Sequence, residues 1–561
     1  MFSRRDFLTV AAATAILTGG KGQLGRLAAQ QRIGQDELLE FDPLGQVTLL
    51  HVTDMHAQLK PIYFREPSIN LGVGEVTGLP PHLTGKDFLA HYGLTPGSLD
   101  AYTMSDQDFV ALARDYGQVG GVDRLATLIK AIRAERPDNT LFLDGGDTWQ
   151  GSYTSLMTQG SDMVKVFQEL GCDAMTAHWE FTLGQDRVEA LIPELGFPFL
   201  AGNVRDTDWD EPVFENTAFF ERGGVKVAVV GQAFPYTPVA NPRYKIPQWS
   251  FGIREEEVAQ HVSTARAEGA EVVVLLSHNG FDVDRKMAGR VPGIDVILTG
   301  HTHDALPQVE QVGNTLLVAS GSHGKFLSRL DLKVEGGRVA DFRYRLIPVL
   351  ADAIQPDPEM AALIREIRAP FAEEIDRVLG TTDQLLYRRG NFNGTFDDLI
   401  CQALLDERDA EIALSPGFRW GATLLPGQDI TVDDVYSMTS ITYPAAYRQD
   451  MSGDMLKLIL EDVGDNLFNP DPYYQQGGDM VRVGGMGYTI DIHKPIGQRI
   501  SNMTLLKDGS PIDPNRNYVV TGWASVNEGT EGPPVYDVVS EWIEKQGTVQ
   551  LQPNESIKVI G

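Results

Sequence analysis

Residues 47–56 read Val-Thr-Leu-Leu-His-Val-Thr-Asp-Met-His, an apolar run that ends in two potential metal ligands, Asp54 and His56. A nearly continuous apolar run is typical of a strand that is covered on both faces. Asp54 and His56 lie two residues apart, so on an extended segment their side chains point the same way. The stretch therefore predicts a buried strand with a pair of metal ligands at its carboxyl end.

Four other segments of the chain repeat this design, because each is an apolar strand pattern that ends at an Asp or a His. In open α/β sheets the working site lies beyond the carboxyl ends of the strands. We therefore expect two Asp and five His to converge on a dinuclear metal centre, an arrangement used for hydrolysis at tetrahedral phosphorus or sulfur. The further candidates are Asp147 after Leu-Phe-Leu-Asp-Gly-Gly, His178 after Ala-Met-Thr-Ala, His278 after Val-Val-Val-Leu-Leu-Ser, and His301 and His303 after Val-Ile-Leu-Thr-Gly.

The remaining histidines do not share this context. His323, in Gly-Ser-His-Gly-Lys, stays open between a structural and a functional role. The others are interpreted as structural residues; they are His51, His82, His91, His261 and His493.

The composition indicates a globular protein of two or three domains, since 561 residues exceed what one hydrophobic core supports. The formal net charge is −30, which argues against nucleic acid as a partner because its phosphates would be repelled. Cys172 and Cys401 each lie in an apolar setting, so we expect two buried thiols rather than a disulfide or a nucleophile.

The N-terminus has the pattern of an export signal. Arg4 and Arg5 precede a short apolar stretch over residues 10–17, which is too short to span a membrane as a helix. A twin arginine before such a stretch is typical of a twin-arginine signal peptide, with cleavage expected after Ala29. No other segment is apolar enough to span a bilayer, so we predict a periplasmic protein without a membrane anchor.

Strand and helix patterns alternate after the signal, which predicts an α/β domain with much parallel pairing. A long insert rich in Gly, Pro and Tyr starts beside the first two candidate ligands, and we expect it to shape access to the metals; a passive surface excursion is the alternative. A Pro- and Asp-rich boundary then precedes a charged helix. The predicted domains are a signal peptide (1–29), a catalytic domain (30–350, insert about 58–118), a linker helix (351–376) and a C-terminal substrate or partner domain (377–561).

These segments resemble the 5′-nucleotidase branch of the metallophosphoesterase superfamily. The matching motifs are Asp54-Met-His56, Gly146-Asp147, Ala177-His178-Trp179-Glu180, His278 and Gly300-His301-Thr-His303. Past residue 380, Ala413-Leu-Ser-Pro-Gly-Phe-Arg419 and Gly487-Tyr488-Thr-Ile-Asp491 resemble the C-terminal substrate domain of that branch.

The resemblance implies a fold, a ligand arrangement and a substrate contact. The fold would be a four-layer α/β/β/α sandwich followed by a mixed α/β domain, and Arg419 would neutralise substrate oxyanions. One ion would be bound by Asp54, His56, Asp147 and His303, and the other by Asp147, His178, His278 and His301.

The sequence also departs from the 5′-nucleotidase pattern. His178 replaces an Asn ligand, Trp179 replaces a catalytic His, and Thr182 replaces the Asp that partners that His. Thr442 stands at one position of the aromatic pair that clamps the nucleobase, and Tyr488 is expected to keep the other. A phosphomonoesterase needs help with a poor leaving group, so loss of the His–Asp pair argues against one.

This combination resembles the SoxB thiosulfohydrolase family of bacterial thiosulfate oxidation. The resemblance implies hydrolysis of a cysteine-bound thiosulfonate on a SoxYZ-type carrier, release of sulfate, and a centre of two Mn(II) ions, with zinc as the alternative metal. Glu180 would orient a ligand His, while Trp179 and Tyr488 would belong to the catalytic surroundings. The alternatives are an exported 5′-nucleotidase or other phosphoesterase, and an inactive homologue that binds the carrier.

Overall fold

The computed structural model describes residues 33–560. The predicted twin-arginine signal falls outside these residues.

The opening apolar run forms the central strand of a five-stranded sheet. Val47–Val52 is buried at every position and pairs in parallel with Thr140–Asp144. Its other edge pairs antiparallel with Phe326–Glu335. The order across the sheet is Arg338–Pro348, Phe326–Glu335, Val47–Val52, Thr140–Asp144 and Ala174–Met175.

A second sheet of six strands contains the other two ligand-bearing strands. Val272–Ser277 pairs in parallel with both Val225–Gln232 and Val296–Thr299, and antiparallel strands close the two edges. The order across this sheet is Glu310–Val312, Thr315–Ala319, Val296–Thr299, Val272–Ser277, Val225–Gln232 and Thr217–Arg222.

The two sheets pack face to face between two helical layers. Val47 and Leu49 share one buried cluster with Val274 of the second sheet, whereas Leu50 packs on the opposite face among helical side chains. This alternation confirms the predicted four-layer α/β/β/α sandwich. The outer helices are Val122–Glu135, Ser161–Leu170 and Gln185–Leu195 on the first sheet, and Glu255–Ala267 and Phe281–Arg290 on the second.

The insert at residues 58–118 is ordered, with three short helices, Gly85–Tyr92, Leu99–Met104 and Phe109–Tyr116. It connects the two domains: the backbone N–H of Leu71 donates to Oδ1 of Asn391 over 2.6 Å. The predicted linker helix begins at Pro358 and breaks after Arg368, and its apolar face packs on the catalytic domain.

The C-terminal region is a mixed α/β domain, as predicted. Its main sheet packs against the helices Thr395–Arg408 and Gly453–Phe468, among others. Cys172 and Cys401 are buried and unpaired, which confirms that they form no disulfide with each other. Within residues 33–560, no helix is both long and apolar enough to cross a bilayer. The main sheet has the order Tyr447–Ser452, Asn517–Gly522, Ile412–Ser415 and Arg482–Gly484, and smaller sheets contain Val378–Thr382, Asp429–Thr431, Thr548–Val549, Met486–Asp491, Ile500–Leu505 and Ile557–Ile560.

Candidate metal centre

The structure brings all seven predicted ligands to one edge of the sandwich. They form two clusters whose ligand atoms lie within 4.8 Å of one another, and Asp147 belongs to both. Five of the seven residues have left-handed backbones, with φ between 45° and 75°, a conformation that non-glycine residues adopt rarely. The clusters are Asp54, His56, Asp147 and His303, and Asp147, His178, His278 and His301.

The Asp147 carboxylate lies between the two clusters. Its Oδ2 is 3.2 Å from Nδ1 of His178, 3.0 Å from Nε2 of His278 and 4.0 Å from Nε2 of His56. Its Oδ1 accepts a hydrogen bond of 2.7 Å from the backbone N–H of Trp179. One oxygen is therefore close to histidines of both clusters, as a bridging ligand requires.

Hydrogen bonds to the outer ring nitrogens show that the histidines fit metal binding. His178 has Nε2 3.3 Å from Oδ1 of Asn241, and His301 donates from Nε2 to the carbonyl oxygen of Gln476 over 2.8 Å. His278 donates from Nδ1 to the carbonyl oxygen of Gly145 over 2.5 Å. An acceptor on one ring nitrogen leaves the other as a neutral donor for a metal.

The same pattern holds at His56, whose Nδ1 lies 3.3 Å from Oε1 of Gln150. His303 differs, because its Nδ1 is buried without a hydrogen-bond partner among the described residues. Its Nε2 lies 3.2 Å from the Asp54 carboxylate. The donor set and its outer partners fit a dinuclear site of nitrogen and oxygen ligands.

Burial and the neighbouring carboxylates together set the pKa values of the ligand histidines. Burial lowers the pKa of His56 to about 4 and the pKa values of His301 and His303 well below their usual range. Burial also disfavours a charge on His278, but the adjacent carboxylates of Asp147 and Asp54 outweigh it and raise the pKa to about 10. His56, His301 and His303 are therefore neutral at neutral pH, the form that binds metal.

Glu180 lies beneath the centre and is completely buried. Its carboxylate accepts hydrogen bonds from the backbone N–H groups of His178 at 2.7 Å and Thr148 at 2.6 Å. The N–H groups of Asp147 and Trp149 donate to it over 3.3 and 3.2 Å. Glu180, which we expected to orient a ligand His, thus contacts the ligand His178 through its backbone N–H and also joins the two ligand-bearing loops.

A cavity of about 300 Å³ opens onto both clusters. Trp179 lines it and packs edge-on against Phe418 and Trp420, with ring centroids 5.1 and 4.8 Å apart. Trp420 also stacks on His56, with a centroid distance of 5.4 Å. Aromatic rings therefore enclose the space in front of the candidate ligands.

Arg419 also lines this cavity, as predicted for an oxyanion contact. Its Nε lies 3.3 Å from Oδ1 of Asp479, and one terminal nitrogen donates to the carbonyl oxygen of Thr302 over 3.3 Å. The other terminal nitrogen donates to the carbonyl oxygen of Gly478. Since a guanidinium has five N–H donors, two remain for a ligand.

Comparisons with known proteins identify the family. A calcineurin-like phosphoesterase model matches residues 47–305, and a 5′-nucleotidase C-terminal domain model matches residues 378–541. The solved structure of a Thermus thermophilus sulfate thiohydrolase SoxB is 39% identical, has a TM-score of 0.90, and aligns over 93% of this chain and 98% of its own. The chain belongs to the SoxB family.

More distant relatives are 5′-nucleotidases. The structure of a 5′-nucleotidase precursor from Thermus thermophilus is 21% identical with a TM-score of 0.72, covers 92% of this chain and 99% of its own, and shares the fold. Snake venom 5′-nucleotidases from Naja atra and Gloydius brevicauda are 29% and 30% identical over 51% and 39% of this chain. The match spans 59% and 40% of their own lengths. The family supports a hydrolase with a dinuclear metal site.

The position of Tyr488 in this SoxB-family protein corrects one prediction. Tyr488 is 1% exposed and packs in the core of the C-terminal domain beside Leu456 and Met486. It is absent from the residues that line the cavity, within the described part of the chain. Its side chain points to the core face of the strand Met486–Asp491, so it cannot contact a ligand there.

The insert borders the centre through a smaller cavity and not through the main one. In residues 33–560, no side chain of the 58–118 insert lines the 300 Å³ cavity. The C-terminal domain contributes that wall instead. Insert residues line a smaller adjacent cavity of about 50 Å³, which shares His301 and Arg419 with the larger one. The wall residues include Phe418, Arg419, Trp420, Asp462, Val463 and Asn466.

His323, which the sequence left open, is a structural residue of this SoxB-family protein. Its Nε2 accepts a hydrogen bond of 3.1 Å from the backbone N–H of Gly421, and its Nδ1 lies 2.8 Å from Oγ of Ser322. Both ring nitrogens are therefore engaged. Because Gly421 belongs to the C-terminal domain, His323 joins the two domains beside His56.

Sequence reasoning missed the side chains that surround the ligands. Asn241 and Gln150 lie in no motif that marks a metal site, and the Gln476 contact uses a backbone carbonyl. Phe418 and Trp420 flank Arg419 directly, so a pair of aromatic residues around the predicted oxyanion contact was a usable signal.

Proposed function

We propose that this protein is a periplasmic thiosulfohydrolase that releases sulfate from a thiosulfonate held on a cysteine of a SoxYZ-type carrier. The proposal rests on the presence of Trp179 in the wall of the cavity. Where a 5′-nucleotidase has a catalytic His, an indole lines the cavity and packs against Phe418 and Trp420. The proposed reaction has no need of a general acid at that position.

The leaving group explains this difference. Water oxygen bonds to the sulfonate sulfur, the sulfur–sulfur bond breaks, and its electron pair leaves with the outer sulfur of the carrier persulfide. Sulfate, the persulfide anion and two protons, both from the water, are the products, and no oxidant is required. A persulfide anion is much less basic than an alkoxide, so its departure needs no protonation by a histidine.

The seven Asp and His side chains would hold two divalent ions, which we propose to be manganese. When bound, these ions would supply an activated water and neutralise charge on the sulfonate. Arg419 would direct its two remaining N–H donors at sulfonate oxygens, since its planar fork suits oxyanions. Trp179, Phe418 and Trp420 would exclude bulk water from the reacting sulfur.

The carrier rather than a free nucleotide is the proposed substrate because of the cavity wall. Aromatic side chains already occupy the space beside the ligands, and Thr442 supplies no ring to clamp a base; its Oγ1 donates to the carbonyl oxygen of Thr182 over 2.6 Å. A carrier cysteine at the end of a peptide arm would enter past Val239, a lining residue whose side chain is exposed.

The test compares two substrates on the purified, metal-loaded protein. We expect sulfate release from a thiosulfonate-loaded carrier and little or no phosphate release from adenosine monophosphate. The same protein stripped of metal with a chelator serves as the control and should release no sulfate. Efficient nucleotide hydrolysis without sulfate release would establish a 5′-nucleotidase instead. Carrier binding with neither activity would establish an inactive binding homologue.

A further inference from the structure

A loop of the C-terminal domain lies directly on one of the candidate ligands. The carbonyl oxygen of Gln476 accepts the hydrogen bond from Nε2 of His301 over 2.8 Å, although the two residues are 175 positions apart. Because a carbonyl only accepts, Nε2 carries the proton and Nδ1 is the nitrogen left for a metal. The ring of His301 is thus oriented by the other domain.

Gly477 makes this close approach possible. Its φ is +72°, and a Cβ atom added there would lie 2.5 Å from Nε2 of His301 and 2.9 Å from its Cδ2. Any side chain at this position would push the loop and the imidazole apart. The neighbouring Gly478 has a similar φ of +79°, but a Cβ there would meet only the carbonyl oxygen of Gly417, at 3.6 Å.

Contacts away from the metal cluster hold the loop on the catalytic domain. Lys286 Nζ lies 2.5 Å from Oδ1 of Asp471 and 3.9 Å from the centre of the Tyr473 ring. The Tyr473 hydroxyl donates to Oε2 of Glu255 over 2.5 Å, and the Tyr236 hydroxyl donates to the carbonyl oxygen of Tyr473. These contacts set the position of the segment that leads to Gln476.

We propose that the Gln476–Gly477 segment is a positioning element that completes one metal site across the domain interface. By orienting His301, it makes the affinity for the ion shared by Asp147, His178, His278 and His301 depend on how the C-terminal domain sits on the catalytic domain. The inference rests on the proposed ligand set and is independent of the proposed substrate.

The test measures metal binding rather than turnover. Removal of an outer-shell partner typically lowers metal affinity 10–100-fold. For Gly477→Ala we expect one of the two ions per chain to bind 10–100-fold more weakly in a manganese titration, with the other unchanged. Gly478→Ala is the matched control, because it places an L side chain at a similar backbone angle without touching His301; it should bind both ions with wild-type affinity.

The possible results distinguish a failure of the positioning role from a failure of the proposed ligand set. Fewer than two ions in the wild-type protein would remove the proposed ligand set. Two ions in the wild type and unchanged affinity in Gly477→Ala, or equal weakening in both glycine variants, would overturn the positioning role alone. If Gly477→Ala does not fold, Lys286→Met provides the test, because it removes a contact that holds the loop and changes a partly exposed residue. We expect this variant to bind one ion more weakly. Wild-type affinity for both ions in Lys286→Met would overturn the inference.

Discussion

The Nε2 atom of His178 lies 3.3 Å from Oδ1 of Asn241, while its Nδ1 lies 3.2 Å from the Asp147 carboxylate. His178 stands where the 5′-nucleotidase pattern has an asparagine. An asparagine ligand binds through a fixed oxygen, whereas a histidine must also be held in one tautomer and one ring orientation. Asn241 is 2% exposed and supplies that restraint.

Replacement of Asn241 by alanine should weaken the binding of one metal ion about 10–100-fold, because the acceptor that holds His178 in place is lost. Isothermal titration of metal-free protein with manganese measures this effect. Asn241→Asp keeps an acceptor at the same distance and should retain more affinity than Asn241→Ala. Equal affinities in the wild type and Asn241→Ala would show that Asn241 has no role in the site.

Asp147→Ala should remove activity and at least one of the two ions, because the Asp147 carboxylate is the one that belongs to both ligand clusters. Elemental analysis of the purified variant measures the metal content, and circular dichroism controls for its folding. A folded Asp147→Ala protein that still holds two ions per chain would rule out the bridging assignment.

Glu180→Gln should destabilise the folded protein by about 3 kcal/mol, because the carboxylate accepts hydrogen bonds from four backbone N–H groups and an amide nitrogen would oppose some of them. The denaturation midpoint measures the effect. Glu366→Gln, on the exposed face of the helix Pro358–Arg368, is the control and should unfold at the wild-type midpoint. An unchanged midpoint for Glu180→Gln would contradict this account of the buried carboxylate.

The double change Trp179→His and Thr182→Asp restores the residues of the 5′-nucleotidase pair. We expect it to raise the rate of adenosine monophosphate hydrolysis by less than about tenfold. General acid–base catalysis gives a larger rate increase only when the substrate is held in the correct position beside the acid or base. Phe418 and Trp420 still line the cavity and Thr442 still supplies no aromatic clamp. Phosphate release measures the effect, and an increase of several hundredfold would show that the His–Asp pair alone separates the two activities.

Replacement of Arg4 and Arg5 by lysine should leave the precursor in the cytoplasm, because the export pathway recognises the arginine pair. Cell fractionation followed by immunodetection measures the distribution. The variant Lys21→Arg, which exchanges a basic residue outside the arginine pair, is the control and should be exported like the wild type. Lysine-substituted protein in the periplasm at the wild-type level would refute the twin-arginine assignment.

The sequence by itself determined an α/β fold with parallel strands and identified the seven candidate ligands. Buried parallel strands need apolar side chains on both faces, so each strand is visible as a local run, and its carboxyl end is marked by the residue that follows. Since parallel strands of one sheet end at a common edge, Asp54, Asp147 and His178 had to lie near one another once the strands were recognised. His278 follows a strand of the second sheet and joins them because the two sheets pack face to face.

The surroundings of these ligands were decided by the tertiary structure. Asn241 lies 63 residues from His178, and Gln476 lies 175 residues from His301. Tyr488 belongs to a matching motif yet faces the core of its own domain. Local periodicity reports only on residues that are neighbours in the chain, whereas a hydrogen bond between domains depends on how two complete folds pack together. Packing within the catalytic domain placed Asn241 beside His178, and packing between the domains placed Gln476 beside His301.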